Sequence, residues 1–276
     1  MKDLASAETL EAMLTVARAA AALVKRVYDA HDYVVELKGP KDPVTVADRD
    51  ANALIVAELA RLFPGVPVVA EESPPEAFAG FEAEPRAFFV DPLDGTAEFV
   101  ARNGEFAVMI GLAEHGRPTA GVVVCPDGGR AFAGARGVGA FEVAATGART
   151  PLTGSRVTSL AEARCVVSRS HRDAAVDAAL ARLGCGALVP CGSAGIKAVR
   201  VATGEADLYV HPARAGMRWD TCAPEAIVTA AGSVLTDVRG APYDYRSTAL
   251  ANSSGAICAP PALHALAVEA LREGAR

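Results

Sequence analysis

The amino-acid sequence predicts an α+β fold built in layers, and three observations predict it. Residues 10–63 carry two long helical patterns, strand-length apolar runs follow with no helix between them, and beyond residue 160 strands and helices alternate. At roughly 150 residues per domain the 276-residue chain makes about two structural units, enough to bury a sizeable core.

Taken in order, residues 10–28 place Leu10, Met13, Leu14, Ala17, Ala20, Ala21, Val24 and Tyr28 at helical spacing behind Ser6, a capping residue type. The alanine-rich stretch at 16–24 suits either core or the face of a homodimer, and core is preferred. A second helix over 48–63 carries Leu54, Ile55, Leu59 and Leu62 on one side and stops at Pro64-Gly65. Runs at 66–70, 87–90, 107–112 and 119–125 have strand length. Glu114-His115-Gly116 reads as a hairpin between the last two, so this sheet is partly antiparallel. Glycine-rich residues 128–139 and turn-rich residues 146–155 interrupt the pattern, which divides the chain into units 1–147 and 148–276. The second unit reads as strand 165–168, helices 174–183 and 194–203, strand 208–210, helix 221–231, strand 234–237 and helix 261–271.

Composition excludes several functions. With Lys+Arg 27 against Asp+Glu 33, a net charge of -6 and 51% hydrophobic residues, the chain is neither disordered nor a binder of nucleic acid polymers. No apolar run reaches ~18 residues, so no membrane span is expected. Acids at Asp3, Glu8 and Glu11, without a basic start and apolar core, argue against an export signal. The six cysteines are scattered without a C-x-x-C and the five histidines without an H-x-x-x-H, which points to a reducing cytoplasm and away from zinc.

Three groups of acids end predicted strands: Glu71-Glu72 after V-V-A, Asp91 and Asp94 in D-P-L-D-G-T, and Asp220 in R-W-D-T. Alone, each reads as a turn, a solvated pair or a helix cap. Together they read as a site, because strand ends in layered folds open into ligand crevices. Pro92 fixes one backbone angle and Gly95 permits a sharp turn, so Asp91, Asp94 and the Leu93 carbonyl can converge on a hard cation. Oxygen-only ligation suits Mg²⁺. A helix opening after Gly95 would offer its free amides and the Thr96 hydroxyl to phosphate oxygens.

These segments, A-E-E-S (70–73), V-D-P-L-D-G-T (90–96) and W-D-T-C-A-P-E-A (219–226), resemble the inositol monophosphatase superfamily of metal-dependent, lithium-sensitive phosphatases, in order and separation, over nearly the whole chain. The resemblance implies an αβαβα sandwich of the inositol monophosphatase or sugar phosphatase type, with two or three Mg²⁺ ions per site between its halves. It implies Glu71, Asp91, the Leu93 carbonyl, Asp94 and Asp220 as metal ligands. Asp48, in P-V-T-V-A-D, is implied as the acid that works with Thr96 to orient and deprotonate the attacking water.

Within the superfamily, D-G-T-A-E-F, N-G-E-F (103–106) and S-R-S-H (168–171) resemble the bisphosphate nucleotidase branch. That branch removes the 3′-phosphate of adenosine 3′,5′-bisphosphate, or of its 5′-phosphosulfate counterpart, in sulfate assimilation. The resemblance implies substrate contacts at Gly95, Thr96, His171, Ser193, Lys197 and His211, the last standing where the branch commonly has arginine. Ala213 occupies the position where inositol phosphatases often carry an acid, and Arg214 and Arg218 follow, a basic rim suited to a doubly phosphorylated ester. An inositol or other sugar phosphate is the alternative substrate. A metal-binding module without catalysis is the alternative class, against which stands the presence of every residue that the chemistry needs.

Overall fold

The computed structural model describes residues 5–39, 42–170 and 172–273. Helix α1 (Ala7–Ala30) starts at Ser6, whose side chain accepts the amide of Thr9, and α2 (Val46–Leu62) starts at Thr45 in a capping box closed by Asp48. Between them lies a hairpin of β1 (Glu36–Gly39) and β2 (Asp42–Val44). A seven-stranded sheet follows: β3 (Val68–Ala70), β4 (Arg86–Asp94), β5 (Ala107–Glu114), β6 (Arg117–Val124), β7 (Ala131–Ala135), β8 (Gly139–Val143) and β9 (Arg149–Pro151), in chain order across the sheet. Only β3 and β4 run parallel. The short α3 (Thr96–Val100) leaves the end of β4.

The second sheet has the order β11 (Ala187–Cys191), β10 (Arg164–Ser168), β12 (Leu208–His211), β14 (Ala256–Ala259), β13 (Val234–Thr236). It is parallel through β11, β10 and β12 and antiparallel beyond. Its helices are α4 (Ala174–Leu183), α5 (Ala194–Thr203), α6 (Trp219–Ala230) and α7 (Pro261–Glu273).

Alternation of side chains along the strands sorts these elements into five layers. Phe88, Val90, Val108, Ile110 and Val122 face one way and form a core with α1 and α2, where Ala17, Ala20 and Ala21 are buried. The alanine-rich stretch is thus core within the single chain. The opposite face, through Phe89, Met109 and Val123, meets α5, α6 and the inner residues Val166, Tyr209 and Cys258 of the second sheet. Cys165, Val167, Leu208 and Val210 turn outward onto α4 and α7. The order is helix, sheet, helix, sheet, helix.

The central helix layer needs a flat seat. Gly111, Gly121 and Gly134 lie side by side on β5, β6 and β7. A Cβ on Gly111 would stand 2.6 Å from the Ala223 amide nitrogen, on Gly121 2.8 Å from Ala223 Cα, and on Gly134 2.9 Å from Ile227 Cα. Only glycine lets the backbone of α6 rest on the sheet, which fixes the height at which α6 presents Asp220.

The two long N-terminal helices, the 114–116 hairpin, both mid-chain helices and the last helix lie where the sequence pattern puts them. It misses β7 in the glycine-rich stretch, β8 at the end of it and β9 in the turn-rich one, and also β1, β2, β11 and β14. Since β9 completes the first sheet, the passage from one sheet to the other begins after Pro151, just beyond the expected division at 147/148. His171 and residues 1–4 lie outside the described residues. Among the described residues no helix is long and apolar enough to cross a membrane. All six cysteines are free, and five of them are buried.

Two stability predictions follow from the α6 seat. Gly121→Ala costs about 1–3 kcal/mol by overpacking, read from denaturant unfolding; a variant as stable as wild type would show that α6 does not sit on the glycine row. Glu225, buried on α6, accepts from the Tyr245 hydroxyl at 2.7 Å, and burial pushes its carboxyl up to about 7 from the ordinary 4.5. The folded state therefore holds this proton longer than the unfolded state. The penalty is absent below the unfolded value and complete above the folded one, so stability falls by about 3 kcal/mol between pH 5 and pH 8 through this group. Glu225→Gln flattens that part of the stability profile; a variant whose profile parallels wild type contradicts the assignment.

Candidate active site

Four carboxylates arrive from three elements. β4 runs out of register with β5 between Asp91 and Asp94, and this irregularity turns both side chains to one place. Asp220 arrives on the first turn of α6, and Glu71 follows β3, its amide bonded to the Val90 carbonyl. Ligand oxygens of Asp91, Asp94 and Asp220 lie within 4.8 Å of one another. Burial, then the charges of Glu71, Asp94 and Asp220, hold Asp91 well above the usual carboxylate range, and burial beside Asp94 and Glu71 pushes Asp220 up to about 8. Glu71 is raised by burial too, although Lys38 from the hairpin stands 2.9 Å from it and 2.6 Å from Glu72.

Asp94 is held by the start of α5. The amides of Ala194 and Gly195 donate to its two oxygens at 3.0 and 2.7 Å, and the Ser193 hydroxyl donates to it as well. A carboxylate offers about four acceptor positions, so a cation can still be bound. Ser193 itself sits at φ 53°, outside the usual L-residue regions, pinned by Asp94 on one side and the Ile196 amide on the other. Gly95 at φ 96° makes the turn into α3, and a Cβ there would stand 2.9 Å from the Glu105 carbonyl oxygen.

Asp48 has two duties. One oxygen, Oδ2, accepts the amide and hydroxyl of Thr45 at 2.8 and 2.7 Å and caps α2; the other, Oδ1, faces the Thr96 hydroxyl at 2.9 Å. The same hydroxyl is 3.2 Å from the Leu93 carbonyl oxygen, so its single proton chooses between two acceptors. Burial raises the Asp48 carboxyl, with the three hydrogen bonds opposing.

A cavity of about 560 Å³ joins these parts; Glu71, Asp91, Leu93, Asp94, Gly95, Thr96, Ser193, Lys197, His211 and Asp220 all line it. Asp48 stands behind Thr96. Lys197 is buried and donates to the carbonyl oxygens of Ser193 at 2.7 Å and Cys191 at 3.5 Å, and burial lowers its pKa. The His211 ring nitrogen lies 3.0 Å from the Arg214 carbonyl oxygen. Of the basic rim read from the sequence, Arg214 lines the cavity. The anchoring of Asp94 on α5, the Lys38 contacts and the place of Glu98 in the cavity wall do not emerge from the sequence, although Glu98 left a signal there as part of the D-G-T-A-E-F segment.

The donor set fits a hard divalent cation: carboxylates and one carbonyl, no nitrogen or sulfur, with like charges buried close together. A five-layer sandwich with an oxygen-only cation site where its sheets meet defines the class. The chain belongs to the inositol monophosphatase family, whose model it matches over residues 6–276. It is 37% identical over 240 residues to the 3′(2′),5′-bisphosphate nucleotidase CysQ of Escherichia coli K12, covering 86% of this chain and 93% of that protein. It is 29% identical over 281 residues to human 3′(2′),5′-bisphosphate nucleotidase 1, covering 88% and 87%. Among solved structures it superposes on the extragenic suppressor protein suhB of Bartonella henselae with a TM-score of 0.83, at 26% identity over 97% of this chain and 100% of that one. On CysQ of Bacteroides thetaiotaomicron the TM-score is 0.77, at 28% identity over 94% and 99%.

Proposed function

We propose that the protein is a Mg²⁺-dependent phosphatase that removes the 3′-phosphate of adenosine 3′,5′-bisphosphate, giving AMP and phosphate. The observation that carries the chemistry is the Thr96–Asp48 pair, 2.9 Å apart, beside the buried Asp91, Asp94 and Asp220. The choice of ester is supported by the names of the relatives above.

Glu71, Asp91, the Leu93 carbonyl, Asp94 and Asp220 would hold the Mg²⁺. When bound, the metal lowers the pKa of a water and offsets the negative charge of the ester. Thr96 passes its hydroxyl proton to Asp48 Oδ1 as it takes one from the water that attacks phosphorus, and a carboxyl raised by burial is the better base for this. The first-turn amides of α3, behind Gly95, suit the phosphoryl oxygens. Lys197, His211 and Arg214 line the same cavity and give it a basic character suited to the second phosphate. His171 is assigned to the nucleotide side by the resemblance of S-R-S-H alone.

The test is a substrate series with purified protein and Mg²⁺. The kcat/KM for adenosine 3′,5′-bisphosphate exceeds that for inositol 1-phosphate or fructose 1,6-bisphosphate by at least about 100-fold, and Thr96→Ala lowers kcat by about 10²–10⁴-fold. Higher kcat/KM on inositol 1-phosphate overturns the substrate, and undiminished kcat in Thr96→Ala overturns the proton path.

A further inference from the structure

Glu98 has no part in the chemistry above, yet it is a carboxylate only 4% exposed, and it lines the reaction cavity. It sits on α3 two residues after Thr96. The Ser170 hydroxyl donates to its Oε1, and Oε2 has no hydrogen-bond partner among the described residues. Room for it is made by Gly192: a Cβ there would stand 2.8 Å from Glu98 Cδ. No lysine or arginine forms an ion pair with it among the described residues. An alanine or leucine here would fill a mere packing position more cheaply, since a buried carboxylate needs donors.

We infer that Glu98 is a specificity-determining residue, whose Oε2 accepts a hydrogen bond from the hydroxyl next to the scissile phosphate on the substrate's sugar. The carboxylate can only accept, so the group that completes it must be a donor. Glu98 and Thr96 line the same cavity, so its carboxylate borders the space that receives the ester. Phosphate oxygens, which are acceptors, would be repelled there. Of the groups adjoining the phosphate on a ribose 3′-ester, the 2′-hydroxyl is the donor. The inference rests on the proposed function for the identity of the sugar, and only for that.

The experiment compares adenosine 3′,5′-bisphosphate with its 2′-deoxy analogue, in wild type, Glu98→Ala and Glu98→Gln. Wild type favours the ribose ester in kcat/KM by about 10–100-fold, the worth of a hydrogen bond to a charged group. Glu98→Ala brings this ratio close to one, chiefly by losing activity on the ribose ester. Glu98→Gln, which keeps an acceptor oxygen, restores part of it. A ratio unchanged in Glu98→Ala, or both esters losing activity equally, overturns the inference and leaves Glu98 as a clamp between α3 and Ser170. Failure of the wild type on either nucleotide is instead a failure of the proposed function. The same ratio is then read with inositol 1-phosphate against phenyl phosphate, which has no neighbouring hydroxyl, and the same two outcomes decide.

Discussion

Asp91, Asp94 and Asp220 repel one another, and the fold holds them together regardless. Water screens such charges poorly at a buried site, which is why Asp91 and Asp220 bind protons far more tightly than exposed carboxyls. Asp91 and Asp94 belong to the first sheet and Asp220 to the helix layer between the sheets, so their repulsion acts across the middle of the molecule. What opposes it is packing: α6 bedded on three glycines, and α5 fastened through its first amides to Asp94. A divalent cation at this point converts the repulsion into attraction on both sides of the seam.

The same arrangement explains why catalytic and structural roles fall on shared residues. Asp48 caps α2 with one oxygen and faces Thr96 with the other, so the helix cap holds the proton acceptor in place. Asp94 receives the start of α5 and remains available to a cation. Glu225 and Tyr245 pair beneath α6 at 2.7 Å, and through the helix they support the turn that carries Asp220. Pre-organisation of this kind, where packing sets the positions of charged groups before substrate arrives, is the main resource of a phosphoryl-transfer site.

Much of the site was legible because its carboxylates lie in distinctive local segments: Glu71, Asp91 and Asp94 stand at strand ends, whereas Asp220, expected at a strand end, opens α6 nine residues after β12, and D-P-L-D-G-T states its own turn. The long helices were legible through their 3.6-residue period. Strand β7, A-F-A-G-A, was not: it is buried on both faces, shows no alternation, and its glycine serves α6 rather than a turn. Strand β11 is a half-exposed edge carrying Pro190, a residue tolerated there because an edge strand can spare a donor. The bond from α5 to Asp94 spans 100 residues of sequence, and the contacts of Lys38 and Glu98 depend equally on distant backbone, so no local pattern announces them.

The claim on which all of this rests is that the fold stores repulsion among three carboxylates which a divalent cation relieves. Thermal unfolding of wild type and Asp220→Asn at about pH 9, above the Asp220 value of about 8 so that its charge is present, with and without Mg²⁺, measures it directly. Wild type gains stability with Mg²⁺, about 2.7 kcal/mol at one hundred times the dissociation constant. Asp220→Asn is the more stable of the two without metal and gains little from it. Equal gains in both proteins, with no advantage for the variant in the absence of metal, would contradict the account.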